Sequence, residues 1–306
     1  MTATHDIARV TVIGSGLIGA SWAALACSRG LTVTAYDPSA QRRAELPSVV
    51  SRLRGQLLAL RADSDGRLQV VDNLPGAVQD ADLVLESAPE RLDLKVALLA
   101  EIDRHSDTDT IVATSTSSLL LSEMTATCRN RARFIVAHPF NRPHLMPLVE
   151  LFGTDQGVLD RAEHFFRSLG KHTIRLKREV HGHIANRLGA ALWQEAVHLV
   201  AEGVAEVADI DAALIHGPAM RWAVQGTHLT YHLGGGAGGI RHYLDHLGPS
   251  QEKRWETLGR MRLTPEIKQA LIDGIEAEAA GRSVADLEAE RDRFLIDLLQ
   301  LRGHTG

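Results

Sequence analysis

Only two cysteines, Cys27 and Cys128, occur in 306 residues, too few for a disulfide framework or for a zinc site built from thiolates. Basic residues are not in excess. Lys and Arg number 33 against 38 Asp and Glu, a net charge of −5, the wrong sign for a general nucleic-acid binder. No apolar run approaches the roughly 18 residues of a membrane span. The first residues, Met-Thr-Ala-Thr-His-Asp, lack a basic stretch followed by an apolar one, so no secretory leader is expected. The expected setting is cytoplasmic, with neither membrane nor nucleic acid as partner. Aromatic residues are scarce at 4%, but 44% of the chain is hydrophobic and 23% charged, the composition of a globular protein with a real core. At about 150 residues per domain this length predicts two domains.

The first part alternates β-branched runs with helical stretches. Strands are expected at Arg9–Ile13, Leu31–Tyr36, Leu68–Val71, Asp82–Leu85, Thr110–Ala113, Arg133–Ala137, Leu148–Phe152 and His172–Leu176. Helices are expected at Leu17–Ser28 and over a long amphipathic stretch from Ala40 to about Arg61. Such alternation calls for a parallel sheet covered on both faces. After about Val180 strand signals vanish, and helical spacing is good through Ala185–Val200, Ala205–Ile215 and Pro265–Ala280. Ser283 followed by Asp286 opens a last helix, Ser283–Leu301, with a capping-box pattern. The glycines of Gly234–Gly239 read as a helix–helix turn. The expectation is an α/β fold: a doubly wound N-terminal domain, residues 1–180, followed by an all-helical domain, residues 181–306.

Gly14-Ser15-Gly16-Leu17-Ile18-Gly19 follows the first strand and opens the first helix. In this pattern glycines allow a tight turn, a close approach of backbone to pyrophosphate, and close packing of helix on strand. The helix N-terminus adds free N–H groups and partial positive charge for phosphates. The second strand ends at Asp37, close to the roughly 20-residue offset expected of an acid for the ribose hydroxyls. A carboxylate there repels a 2′-phosphate, so the expected cofactor is NAD rather than NADP. Arg42 and Arg43 lie just beyond and could contact a 2′-phosphate, although such arginines more often form a solvated helix face.

Two further stretches carry chemistry. Thr114-Ser115-Thr116-Ser117-Ser118 follows a strand, at the carboxyl end where open α/β sheets bind ligands. His138 ends an apolar strand, and Glu150 lies inside Leu148-Val149-Glu150-Leu151. A carboxylate in an apolar strand needs a partner, because an unpaired buried charge is costly. Neighbouring strands would bring His138 and Glu150 together as a general base oriented by a carboxylate.

Gly14–Gly19, Ala88-Pro89-Glu90, Thr116-Ser117-Ser118, His138-Pro139-Phe140-Asn141, Leu148-Val149-Glu150 and Asn186-Arg187-Leu188 follow in order the motifs of the 3-hydroxyacyl-CoA dehydrogenase superfamily, which the chain resembles over nearly its whole length. The resemblance implies an NAD-binding Rossmann domain, a helical domain that forms a homodimer, and a catalytic site of Ser117, His138, Glu150 and Asn186. It also implies that Glu90 and Lys95 contact the nicotinamide end of the cofactor. Glu86–Lys95, Ala191–Ala196 and the segment from Arg221-Trp222 to His242 are similar to the L-carnitine 3-dehydrogenase branch, which itself resembles lambda-crystallin, an L-gulonate 3-dehydrogenase. His181-Gly182-His183 departs from the pattern: the family usually writes Pro-Gly-Phe there.

A small 3-hydroxy acid, L-carnitine for preference, is therefore the expected substrate, with gulonate, a 3-hydroxyacyl-CoA and a catalytically silent dinucleotide binder as alternatives. Residues 38–71 contain no lysine for coenzyme A phosphates, although arginines 42, 43, 52, 54, 61 and 67 are present. Carnitine calls for an arginine on its carboxylate and aromatic faces on its trimethylammonium group. Arg221, Trp193 and Trp222 are the candidates. His228 with His232, and His242 with His246, share the i,i+4 spacing of metal ligands, but no H-E-x-x-H accompanies them and no metal is expected.

Overall fold

The computed structural model describes residues 7–60 and 64–303; Arg61, where the second helix was expected to end, lies outside them. The chain forms two compact units, one of residues up to Asn186 together with those from Glu290 onward, the other Arg187–Ala289.

The first unit carries all eight expected strands: β1 (Arg9–Ile13), β2 (Thr32–Tyr36), β3 (Arg67–Val70), β4 (Leu83–Glu86), β5 (Ile111–Thr114), β6 (Phe134–Pro139), β7 (Leu148–Gly153) and β8 (His172–Arg175). They form one sheet in the order β3-β2-β1-β4-β5-β6-β7-β8. Helices α1 (Leu17–Ser28), α2 (Ala40–Leu58), α3 (Leu74–Val78), α4 (Leu92–His105), α5 (Leu121–Met124) and α6 (Gln156–Ser168) cover it. Alternate residues of one strand enter different cores. Leu83, Leu85, Ile111 and Ile135 pack with Trp22 of α1 and Phe166 of α6, while Val84, Val112 and Val136 pack with Leu99 and Ile102 of α4. Both faces are thus buried, as a doubly wound sheet requires.

Two strands, β7 and β8, run against the expectation of a wholly parallel sheet. β7 pairs with β6 antiparallel, and β8 then follows β7 in parallel. The reason is the connection, residues 140–147, which holds no helix. A parallel return needs a crossover of about a dozen residues or more. The reversal places Glu150 directly opposite His138 in the strand register.

The second unit is helical: most of α7 (Ala185–Ala201), then α8 (Val207–His216), α9 (Pro218–Trp222), α10 (Thr227–Gly234), α11 (Gly239–Glu256) and α12 (Pro265–Ala279). The expected glycine turn links α10 to α11. At Gly239, with φ +60°, a Cβ would stand 2.6 Å from the His232 ring. α13 (Val284–Leu301) begins with the expected box, the Ser283 hydroxyl donating to Asp286 at 2.6 Å. Its far half returns to the first unit, where Asp292 accepts from Arg142 at 2.8 Å and Gln300 donates to the Ala59 carbonyl at 2.8 Å. By compactness the chain from Glu290 onward groups with the first unit, whereas its sequence places it in the helical domain. The contacts that draw α13 back are long-range, and its periodicity does not reveal them.

Candidate active site

The carboxyl ends of β1, β4, β5 and β6 open onto a cleft of about 430 Å³ lined by Leu17, Ile18, Glu90, Ser117, His138 and Asn186, among others. This is the topological switch point, where strand order reverses between β1 and β4 and open sheets bind ligands.

On the β6 side, His138 Nδ1 donates to Glu150 Oε2 at 2.7 Å. The other Glu150 oxygen accepts the amides of Ile184 and Ala185 at 2.9 and 3.1 Å, at the start of α7. Burial works against the charged carboxylate, but the bonds from His138, Ile184 and Ala185 outweigh it and hold Glu150 below the usual carboxylate range. With Nδ1 committed, His138 has Nε2 left as the nitrogen with a free lone pair.

On the β4 and β5 side, Glu90 Oε1 accepts from the Thr116 hydroxyl at 2.6 Å and from the amides of Ser117 and Ser118 at 2.8 and 2.9 Å. Burial opposes its ionisation, yet the Thr116 hydroxyl, the Lys95 charge and the two amides lower its pKa. Asn186 donates to the Ser117 carbonyl at 3.2 Å. Ser117, His138 and Asn186 thus line one cleft, with Glu150 behind His138.

At the β1 turn, Gly14 has φ +90°, and a Cβ there would lie 2.7 Å from the Ser87 carbonyl oxygen; one on Gly19 would collide with the Gly14 carbonyl. Both glycines are required by the protein's own packing.

The 3-hydroxyacyl-CoA dehydrogenase NAD binding domain matches residues 9–180, and the C-terminal domain of the same family matches residues 182–276. The chain belongs to the 3-hydroxyacyl-CoA dehydrogenase family. It is 45% identical to an L-carnitine dehydrogenase of Streptomyces griseus, over 98% of this chain and 92% of that one. It is 40% identical to an L-carnitine dehydrogenase of Pseudomonas aeruginosa, over 98% and 95% of the two chains. A crystal structure of 5-formyl-3-hydroxy-2-methylpyridine 4-carboxylic acid 5-dehydrogenase, an NAD+-dependent dismutase, superposes with TM-score 0.82 at 27% identity, over 96% and 98% of the chains. As a member of this family the chain is an NAD-dependent oxidoreductase acting on a CH–OH group.

The residues present fit NAD. Unlike Gly14 and Gly19, Gly16 has an ordinary backbone, and a Cβ on it would meet only Arg42 Nη1, at 3.8 Å. Among the described residues no atom demands a glycine there, and the open space suits a pyrophosphate approaching the α1 N-terminus. Asp37, 4% exposed, accepts the Ser15 amide and hydroxyl at 2.8 and 3.0 Å and the Ser39 amide at 2.9 Å. A carboxylate has about four acceptor positions, so capacity remains for a ribose hydroxyl. Arg43 is not a free solvated group: it donates to the Asp37 and Pro38 carbonyls at 2.7 and 3.1 Å.

Lys95 is fully buried, with Nζ 2.7 and 2.8 Å from the two oxygens of Glu86 and 3.8 Å from Glu90, which lines the cleft. Sequence reasoning passed over Glu86 as a site residue, although a carboxylate ending the apolar strand Leu83-Val84-Leu85 is the same signal that singled out Glu150. Trp193, Arg221 and Trp222 lie in the second unit and are exposed. The described lining of the cleft comes from the first unit. Among the described residues no cluster of three or more metal-ligating side chains occurs, and no helix is long and apolar enough to cross a membrane.

Proposed function

We propose that the chain oxidises the 3-hydroxyl of L-carnitine to 3-dehydrocarnitine. The observation that carries this reading is identity above 40% along nearly the whole length with relatives named L-carnitine dehydrogenase. Bound NAD supplies the hydride acceptor. His138 takes the hydroxyl proton on Nε2, and the charge it gains is held by Glu150 through Nδ1. The Ser117 hydroxyl and the Asn186 amide, both in the cleft lining, steady the reacting oxygen as charge develops on it. Asn186 spends one N–H on the Ser117 carbonyl, and an amide carries two. Gly14, Gly16, Leu17, Ile18 and Gly19 cradle the pyrophosphate, Asp37 the ribose, and Glu90 stands toward the nicotinamide. In the helical unit Arg221 takes the substrate carboxylate, and Trp193 and Trp222 take the trimethylammonium group.

The same reading makes the helical domain the dimer interface. That unit has little core of its own: its buried hydrophobics are Val197, Val207 and Tyr243. Meanwhile Met220, Val224, Leu233, Trp255 and Ile275 are exposed. So much apolar surface marks an interaction face.

Absorbance of NADH is followed with L-carnitine, L-gulonate, 3-hydroxybutyrate and its CoA ester in turn. Turnover on carnitine at least tenfold above the others supports the substrate. Preference for any of the others replaces it, and no turnover on any points to a silent binder.

A further inference from the structure

We propose that His181 and His183 are positioning residues, holding the Thr116–Ser118 turn and acting on the reaction through Ser117. The three successive carbonyls of this turn each accept a side-chain hydrogen bond from one short stretch of chain. Thr116 O accepts from His183 Nε2 at 3.1 Å, Ser117 O from Asn186 Nδ2 at 3.2 Å, and Ser118 O from His181 Nδ1 at 3.1 Å. The amides of Ser117 and Ser118 are committed in turn to Glu90. Donors and acceptors of the turn are thus both tied, by groups on different elements.

Pro and Phe, the residues expected at 181 and 183 from the family resemblance, cannot donate a side-chain hydrogen bond. The two imidazoles supply the N–H groups that this chain uses instead. The backbone is bent to make this possible, with φ +76° at Gly182 and +47° at His183. Left-handed backbone is uncommon for a residue with a Cβ and persists only where the surroundings enforce it. His183 is 2% exposed, and its ring centroid lies 5.0 Å from that of His138. A carbonyl only accepts, so Nε2 keeps its proton and Nδ1, which has no partner among the described residues, is a bare lone pair. Burial draws the His183 pKa down further than the Thr116 carbonyl raises it. Burial thus favours the neutral ring, beside the histidine proposed to take the proton during turnover.

This inference rests on Ser117 contacting the reacting oxygen, so its test has a readout that needs no substrate. In the full chain, His181→Leu and His183→Phe remove the donors, whereas His181→Asn and His183→Gln keep an N–H near the same place. Amide hydrogen exchange over residues 115–119 is compared with that of α6, which reports on folding. Steady-state kinetics follow, on whichever substrate the parent chain oxidises. The donor-removing variants are expected to exchange at least tenfold faster in the turn alone and to lose tenfold or more in kcat, with KM moving less than threefold. The donor-keeping variants stay within threefold of the parent in both readouts. Unchanged exchange in the His181→Leu/His183→Phe double variant overturns the clamp, as does an equal loss in the donor-keeping variants. Faster exchange with unaltered kcat overturns the link through Ser117. If the parent chain oxidises none of the substrates, the exchange result alone decides the clamp, and the failure belongs to the substrate reading.

Discussion

His138 and Glu150 face each other across the antiparallel β6–β7 pair, joined at 2.7 Å, and the second carboxylate oxygen caps the first amides of α7. Glu150 therefore has two tasks, and they separate by substitution. His138→Ala is expected to lower kcat by roughly 10²–10⁴-fold, the worth of general-base catalysis, with NAD affinity little changed. Glu150→Gln keeps an acceptor for the α7 amides but no longer favours the imidazolium. Its kcat should fall less, and the rising limb of the oxidation rate should move to lower pH. A pH–rate series on both variants checks this; near-normal turnover of His138→Ala rejects the base assignment.

Asp37 governs the choice of cofactor. Its carboxylate already binds Ser15 and Ser39, so Asp37→Ala removes a ribose partner and a support of the glycine turn together. NAD affinity is expected to weaken by roughly 1.5–3 kcal/mol, the range for charge-assisted hydrogen bonds. In the parent chain NADP should be much the poorer cofactor. Titration of both, watched by NADH-type fluorescence and kcat/KM, decides it, and equal efficiency with the two would count against the role given to Asp37.

Acid should destabilise the protein through His144. This histidine is 2% exposed and hydrogen-bonds Ser21 and Gln56 at 3.1 and 2.7 Å. Burial, then the charges of Lys171 and Arg142, lower its pKa from 6.5 to about 4. The folded pKa lies below the unfolded one, so the unfolded chain binds the proton first. The contribution of His144 is complete above about pH 6.5 and is lost as pH falls toward 4. A shift of that size is worth about 3 kcal/mol. Urea unfolding between pH 4 and 7 should show this slope, and His144→Gln should flatten it.

The strands were readable because each is a short β-branched run bounded by turn residues, and the glycine turn because its chemistry is local. Gly14, Asp37, Ser117 and His138 share this property: each ends or follows a strand, at the edge where ligands bind. The direction of β7 was not readable, because it depends on a connection too short for a crossover. The pairing of Lys95 was not readable for a related reason: its partner, Glu86, reaches it across a strand-to-helix connection whose geometry no spacing rule reports. Asp292 is the clearest case, meeting Arg142 and Gln56 from the far end of the chain. The histidines at 181 and 183 stood out as departures from a family pattern, but only three dimensions relate them to the carbonyls of residues 116 and 118.

The helical unit is expected to act as a dimerisation domain, and its exposed apolar residues offer a direct handle. Trp255 is 66% exposed and Val224 82%, in a unit with few buried side chains to stabilise it alone. Light scattering after size exclusion should give a mass near twice 33.3 kDa. Charged residues at such positions, Val224→Glu with Trp255→Glu, should shift the species toward a monomer with a lower melting temperature, because apolar area then remains in water at roughly 25 cal/mol per Å². A monomeric parent chain would remove the dimer from this account and leave the cleft of the first unit untouched.

A carboxylate is held best by the planar fork of an arginine, and a lysine keeps the charge without the fork. Arg221, at the exposed end of α9, is assigned that task. Arg221→Ala should raise KM for carnitine and for 3-hydroxybutyrate alike, since both carry the carboxylate, and Arg221→Lys should recover only part of the loss. Trp193 and Trp222 are assigned the trimethylammonium group, where cation–π attraction is worth roughly 0.5–2 kcal/mol. Replacing either with Leu should therefore harm carnitine several-fold more than 3-hydroxybutyrate, which lacks the cation. Steady-state kinetics on the two substrates side by side separate the effects. Equal losses on both would mean that the tryptophans support the helical unit rather than read the cation, and an unchanged KM in Arg221→Ala would return the carboxylate contact to another residue.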